Sequence, residues 1–526
     1  MQSRAFKTLA AAAVLALGLG ACTDITTEPK STVTGANIFN DPGSYRAFLA
    51  KLYAGLAVTG QQGPAGAGDI EGIDEGFSQY LRLIWQMQEL PTDEAIIAWQ
   101  DAGLPELNTQ LWSSSNPFLG SMYYRIFFQV TLANEFLRET TDEKLTSRGV
   151  SAGLRADIQQ YRAEARFLRA LSYWHGIDLF GSIPLVRETD ALGSTPPQQA
   201  TRKQLFDYVV QELNESREAL PATPQYGRAG RAAVDMLLAK LYLNAQVYTG
   251  ENRYSDARVA TERVIASSYR LDDRYRDMFL ADNHTSPEII FPITQDGRNT
   301  RTYGAMTFLA HASVGGNVMN AADYGLNGGW WGLRVRPQLV ALFPSVGPSS
   351  PDRRAAHFFT QGQTLEITSI SDFTKGYAAP KYQNVTSTGQ PGSNSEFVDI
   401  DFPMFRLADA YLMYAEAVLR GGGGSQAQAV TYVNALRQRA YGGTSGNITA
   451  GQLTLDFILA ERGRELHWEG HRRTDLIRFG RFSSSGTWAW KGNVQAGRTT
   501  EAFRDLYPLP ASELLANPNL KQNTGY

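Results

Sequence analysis

Cysteine is all but missing from this chain: Cys22 is the single one in 526 residues. No disulfide can form within it, so an exported protein of this length has to rest on core burial alone, and an apolar fraction of 43% supplies enough. Charge of one sign is missing too. Lys and Arg number 49 against 52 Asp and Glu, a formal charge of −3 that leaves no basic field for nucleic acid. Beyond the first twenty residues no run approaches 18 uninterrupted apolar positions, which excludes a later membrane-spanning helix. Catalytic signatures are absent as well. There is no Gly-x-Ser-x-Gly elbow and no Gly-x4-Gly-Lys-Ser/Thr loop, and Gly63-Pro64-Ala65-Gly66-Ala67-Gly68 follows no strand and carries proline, so it reads as a loop.

What is present begins at the N-terminus. Arg4 and Lys7 precede an apolar stretch from Leu9 to Gly20, which is too short to cross a bilayer and has the form of an export signal over residues 1–21. Leu19-Gly20-Ala21-Cys22 resembles the bacterial lipobox, in which the thiol is acylated and becomes the first residue of the mature chain. Several acyl chains on one residue anchor stably where a single one does not. The competing reading, an ordinary secretory signal beside an incidental cysteine, leaves the lack of any other cysteine unexplained. Residues 22–44, polar and threonine-rich with Pro29, read as a lipidated tether.

Residues 45–290 read as successive amphipathic helices, over Tyr45 to Leu56, Gly76 to Met87, Gly120 to Arg138, Ile158 to Leu179, Arg202 to Ala219 and Arg231 to Tyr248. In the last, Ala233, Leu237, Leu241, Ala245 and Tyr248 fall three or four apart. With a second helix carrying Ala257, Ala260 and Val264, the stretch from Arg231 to Ser268 has the size of a tetratricopeptide-type hairpin, although the Trp-x2-Leu-Gly opening and the closing proline of that repeat are absent. Residues 291–402 lose the helical period, gain glycine, proline and aromatics, and follow a β-prone piece from Glu288 to Ile293. So long an irregular insertion is more often a binding surface than a spacer. Helices return over 403–526, the first expected to start at Pro403 and to end at the glycines 421–424. The fold class expected is mainly α: a scaffold of tetratricopeptide-like helical hairpins with long irregular loop insertions and a few short strands.

The densest chemistry lies between Glu461 and Arg481, where twelve ionisable residues interleave with Leu466, Trp468, Leu476, Ile477 and Phe479. His467 and His471 stand four apart on an expected helix, a zinc-ligand spacing. The order His-Trp-Glu-Gly-His, however, puts Glu469 on the wrong side to act on a metal-bound water, unlike His-Glu-x-x-His. The alternative is a partly buried network in which each charge needs a partner. No metal, cofactor or catalytic residue is assigned. Paired glycosidase carboxylates stay open, since sequence does not show their separation.

Phe405-Arg406-Leu407-Ala408-Asp409-Ala410-Tyr411, Glu461-Arg462-Gly463-Arg464-Glu465-Leu466 with Glu469-Gly470-His471-Arg472, Leu506-Tyr507-Pro508-Leu509-Pro510 and Gly329-Trp330-Trp331-Gly332 accompany the lipobox. Together they resemble the SusD/RagB-like outer-membrane lipoproteins, nutrient-binding partners of TonB-dependent transporters. The resemblance implies a non-catalytic, lipid-anchored protein of the outer membrane, facing the exterior. It would present oligosaccharides or peptides to a SusC-like transporter, with no nucleic-acid partner. A lipid-anchored glycan hydrolase and a helical-repeat adaptor for a protein segment are the alternatives.

Sugar rings offer an apolar face and a rim of hydroxyls, so a glycan site needs open flat aromatics flanked by polar groups. Trp99, Trp330, Trp331 and Tyr324 are the candidate platforms, with Asp74, Arg82 and Asp101 as candidate hydroxyl partners. Asp74 and Arg82 also admit a plain surface ion pair. Of two adjacent tryptophans one commonly packs inward. Trp85, Trp112, Trp174 and Trp468 lie on helical stripes and read as core.

Overall fold

The computed structural model describes residues 38–39, 41–64, 66–191, 193 and 195–526. The expected signal over 1–21, the lipidation site Cys22 and most of the 22–44 tether lie outside the described residues. Contacts divide the chain into Met1–Ser44 and Tyr45–Tyr526, and the second unit holds the scaffold and the candidate site.

The longer helices are α1 (Gly43–Ala57), α2 (Tyr80–Glu89), α3 (Pro117–Glu139), α4 (Ala152–Leu179), α5 (Arg202–Ser216), α6 (Arg231–Leu243), α7 (Tyr254–Ile265), α8 (Ala305–Ala312), α9 (Leu407–Leu419), α10 (Gln426–Tyr441), α11 (Leu455–Leu466) and α12 (Arg472–Arg478). Their starts follow local chemistry. Asn116 accepts from the Phe118 and Leu119 amides ahead of Pro117, and Thr201 forms a capping box with Gln204. Consecutive helices pack in pairs, α3 on α4, α4 on α5 and α6 on α7, and α9 returns after the insertion to pack on α7 before pairing with α10. The hairpin scaffold is therefore continuous on both sides of the irregular region. Its C-terminal core gathers Leu412, Ala415, Val433, Leu436 and Ile458 from α9, α10 and α11.

Two short antiparallel ribbons complete the fold. β1 (Ala95–Ile97) pairs with β3 (Leu333–Val335), and β2 (Ile289–Ile293) pairs with β4 (Phe402–Arg406).

Three expectations are corrected. The helix expected from Pro403 starts at Leu407, because 402–406 is the strand β4, with Pro403 opposite Pro292. The single helix expected over Arg231 to Tyr248 is broken at Asn244, whose side chain donates back to the Lys240 carbonyl while its own carbonyl oxygen accepts from Arg478 at 3.0 Å. The 291–402 insertion also holds α8, eight residues long and buried throughout.

Candidate functional site: an aromatic ledge

The β1–β3 ribbon builds the ledge. Ala95, Ile96 and Ile97 face Val335, Arg334 and Leu333, and the Ala98 amide continues the ladder to the Gly332 carbonyl at 2.9 Å. That register brings Trp99 against the Trp330-Trp331 pair across more than two hundred residues. The Trp99 indole N–H donates to the Trp330 carbonyl at 3.0 Å, with the two rings 6.3 Å apart.

The other edge of the tryptophan segment caps α8. The amides of Trp330, Trp331 and Gly332 donate to the carbonyls of His311, Val314 and Ala312 at 2.8, 3.1 and 2.9 Å, satisfying groups that a helix end leaves open. To do so Trp331 adopts φ +54°, in the left-handed region, at a cost of order 1–3 kcal/mol for a bulky residue. Its ring lies on the backbone of Gly315, where a Cβ would overlap the indole Cδ1. The outcome is a large apolar ring left 56% exposed, while Trp330 and Trp99 are half-buried.

Beneath the ledge the rings are held by polar contacts. Trp330 stacks on His311 at 4.7 Å, and the His311 nitrogens reach the carbonyls of Gly328 and Glu396 at 2.7 and 2.9 Å. Arg82 is buried, its guanidinium 4.4 Å from the Phe308 ring centroid and 5.7 Å from that of Trp99. It donates to the carbonyls of Gly76 and Tyr303, both at 3.3 Å. Burial pushes Arg82 down to about 10, against the opposing charges of Asp101, Asp74 and Glu75.

The structure thus brings Trp99, Trp330, Trp331 and Arg82 together. The surface ion pair between Asp74 and Arg82 does not form among the described residues: exposed Asp74 accepts the Gly76 and Phe77 amides at 2.9 Å, and Arg82 is occupied by carbonyls and rings. Asp101 is exposed at the same edge and felt by Arg82 through its charge. Tyr324 lies apart, lining a separate cleft. Sequence reasoning missed Tyr303. Its ring is 6.3 Å from Trp330, its hydroxyl donates to Glu396 at 2.8 Å, and it sits half-buried in the turn before Gly304. A tyrosine in an irregular stretch two residues from α8 was the available signal.

The charged window is scaffold. Arg406 alone reaches Glu288 and Glu465 at 2.8 Å and Glu469 at 2.6 Å, and Arg354 pairs Asp352, Glu461 and Glu465 with every partner buried. His467 and His471 do not share a helix, because α11 stops at Leu466 and α12 starts after His471. The His467 ring stacks on His357 at 5.1 Å, and His471 Nδ1 meets Lys240 at 3.2 Å. The zinc-type spacing on one helix face is therefore not realised. A neighbouring carboxyl pair, Glu89 with Glu94, is buried beneath the turn that connects α11 to α12, where no glycan can reach it. Burial raises both carboxyls; the charge of Glu94 adds to it at Glu89, and at Glu94 the opposing charge of Arg472 does not outweigh it.

Residues 356–526 match the model of the SusD family, and residues 86–243 match a model described as starch-binding associating with the outer membrane. The Starch-binding protein SusD of Bacteroides thetaiotaomicron is 34% identical over 581 aligned positions covering 100% of both chains. The chain belongs to the SusD family. A SusD-like protein of Bacteroides ovatus is 23% identical over 93% of this chain and 86% of its own. Among solved structures, a SusD superfamily protein from Parabacteroides distasonis superposes with TM-score 0.71 at 21% identity, over 94% of this chain and 100% of that one. Surface glycan-binding protein A from Bacteroides thetaiotaomicron, in complex with laminarihexaose, gives TM-score 0.69 at 22% identity over 91% and 99%. The SusD fold of hairpins with inserted loops is thus shared along nearly the whole chain.

Proposed function

We propose that this SusD-family protein is a non-catalytic, lipid-anchored receptor on the outer membrane that captures oligosaccharides and passes them to a SusC-like TonB-dependent transporter. The observation that carries the reading is Trp331, a large ring held open on a glycine floor in a strained conformation, next in the chain to Trp330, whose own ring meets Trp99 and Tyr303. Flat rings set at tilts to each other suit the curved apolar face of an oligosaccharide, and Asp74 and Asp101 at the edge supply acceptors for its hydroxyls. Relatives named for starch and glycan binding support the class of ligand. Those relatives are named as binding proteins, which favours binding without turnover.

The test is affinity electrophoresis of the purified chain in gels containing starch, laminarin and other neutral polysaccharides, with product analysis of the same mixtures. Retardation by one of them, lost in Trp331→Ala at unchanged melting temperature and without shortened products, is the expected result. Release of shortened products, or retardation indifferent to Trp331, would overturn it. Acylation of Cys22 is checked by mass spectrometry of the membrane-bound form, and delivery by co-purification with the transporter.

A further inference from the structure

A cleft of about 530 Å³, within the range of about 300–1,000 Å³ for small-ligand sites, lies away from the ledge beside Tyr324. Three of its lining residues are cations, Arg276, Arg353 and Lys381, and none is an aspartate or glutamate. Lys381 is satisfied: its ammonium donates to the His467 carbonyl at 2.6 Å and to Glu469 at 2.7 Å. The two arginines are not. Both are exposed, and among the described ion pairs neither has a carboxylate partner, in a chain whose buried arginines are repeatedly paired. Arg276 donates only to the Gln383 side-chain oxygen at 3.1 Å among the described hydrogen bonds. Arg353 packs over Gly442, where a Cβ would displace it.

The remaining wall suits a hydroxylated ligand. His467 Nδ1 faces the Arg464 carbonyl at 3.1 Å and so carries the proton, which makes its Nε2 the acceptor for His357 Nε2–H at 3.2 Å. The lining His357 ring keeps Nδ1 as an acceptor, beside the half-buried rings of Tyr324 and Phe359. Tyr324 is joined to Trp331 by seven peptide steps, a span of at most about 25 Å.

We infer that this cleft is a second subsite that takes the anionic group of an acidic oligosaccharide, a uronate carboxylate or a sulfate ester, on the guanidiniums of Arg276 and Arg353. Planar guanidiniums match the two oxygens of such groups and discriminate them from neutral sugars. The inference rests on the glycan reading above but concerns different residues.

The experiment is calorimetric titration of the full chain with an oligogalacturonate, a sulfated galactan oligosaccharide, a neutral gluco-oligosaccharide and a polyglutamate peptide. Wild type is compared with the Arg276→Gln/Arg353→Gln double variant and with Trp331→Ala. The expected result is that at least one acidic oligosaccharide binds, that its affinity falls about tenfold or more in the double variant, and that neutral binding is unchanged there. In the wild type the acidic ligand alone should weaken between about 50 and about 500 mM salt, a readout that stands even if the double variant folds poorly. Acidic binding that ignores salt and the double variant, absence of acidic binding, or preferential binding of polyglutamate would overturn the inference. Neutral binding lost in Trp331→Ala but retained in the double variant would leave the ledge reading intact while the cleft reading fell.

Discussion

Trp331 rests on Gly315 so closely that the indole occupies the space a Cβ would need. Gly315→Ala should lift the ring and, at φ +159°, strain the backbone beneath it as well. Binding of the retained neutral polysaccharide is expected to fall about tenfold or more, and about 30-fold for Trp331→Ala if the ring contributes the roughly 2 kcal/mol of a central aromatic anchor. Affinity electrophoresis measures both. Melting temperatures within about 2 °C of wild type are expected for Trp331→Ala, because a half-exposed ring contributes little to the core.

Gly332 is a different case. A Cβ there would stand 2.8 Å from Trp99 Cε2, so Gly332→Ala forces the half-buried Trp99 away from Trp330. Overpacking of this kind costs about 1–3 kcal/mol, and urea unfolding should show it as a lower midpoint at unchanged slope, together with weakened binding.

Arg406 holds three buried carboxylates at once. Arg406→Met leaves Glu288, Glu465 and Glu469 short of a cation, and a loss of at least about 3–5 kcal/mol is expected, enough to abolish soluble expression. Arg481→Ala, which removes an exposed pair with Asp456, should cost less than about 1 kcal/mol. Equal effects in the two variants would contradict a structural role for the network.

Stability should fall steeply in acid. Burial, reinforced by nearby Lys240, holds His175 and His471 down to about 3, and burial with Lys381 holds His357 and His467 well below their ordinary value. Burial alone would raise Glu461, Glu469 and Asp475, but paired arginines outweigh it and bring each to about 2. All seven bind protons more tightly unfolded than folded, so their contribution is complete above about 6.5 and is lost as pH falls toward 2. Asp401, raised by burial to about 6, and the Glu89–Glu94 pair work the opposite way, losing their contribution as pH rises from about 4 through the raised values. Between about 4.5 and 6.5 the two sets oppose each other; below 4.5 the loss is unopposed. Urea midpoints should therefore change little down to about pH 4.5 and then collapse, and a midpoint that held to pH 3 would contradict the assignments.

Much of the scaffold was legible because amphipathic spacing and caps agree locally. The Ala233–Leu237–Leu241 stripe, the helix read over Gly120 to Arg138 and the β-prone 288–293 piece each map onto an element. The failures share a cause. Pro403 reads as a helix start, yet pairing with Pro292 decides it, and a partner more than a hundred residues away leaves no local mark. Asn244 looks neutral within a stripe until its amide turns back on Lys240. At the site, adjacent tryptophans in a glycine-rich loop were visible, but which one opens outward depends on the Gly315 floor, and Arg82 looked like a surface residue because its cover, Phe308 and Tyr303, comes from the insertion.

The Arg406 cluster has one more implication. Glu288 precedes the 291–402 excursion, Arg406 follows it, and Glu465 and Glu469 lie further on, so the two rims of the excursion are clasped together by charge. Exposed loops between the rims can drift or lengthen while Arg354 and Lys381, buried within the excursion, keep it tied to the same carboxylates. A clasp of this kind lets one architecture acquire new appetites.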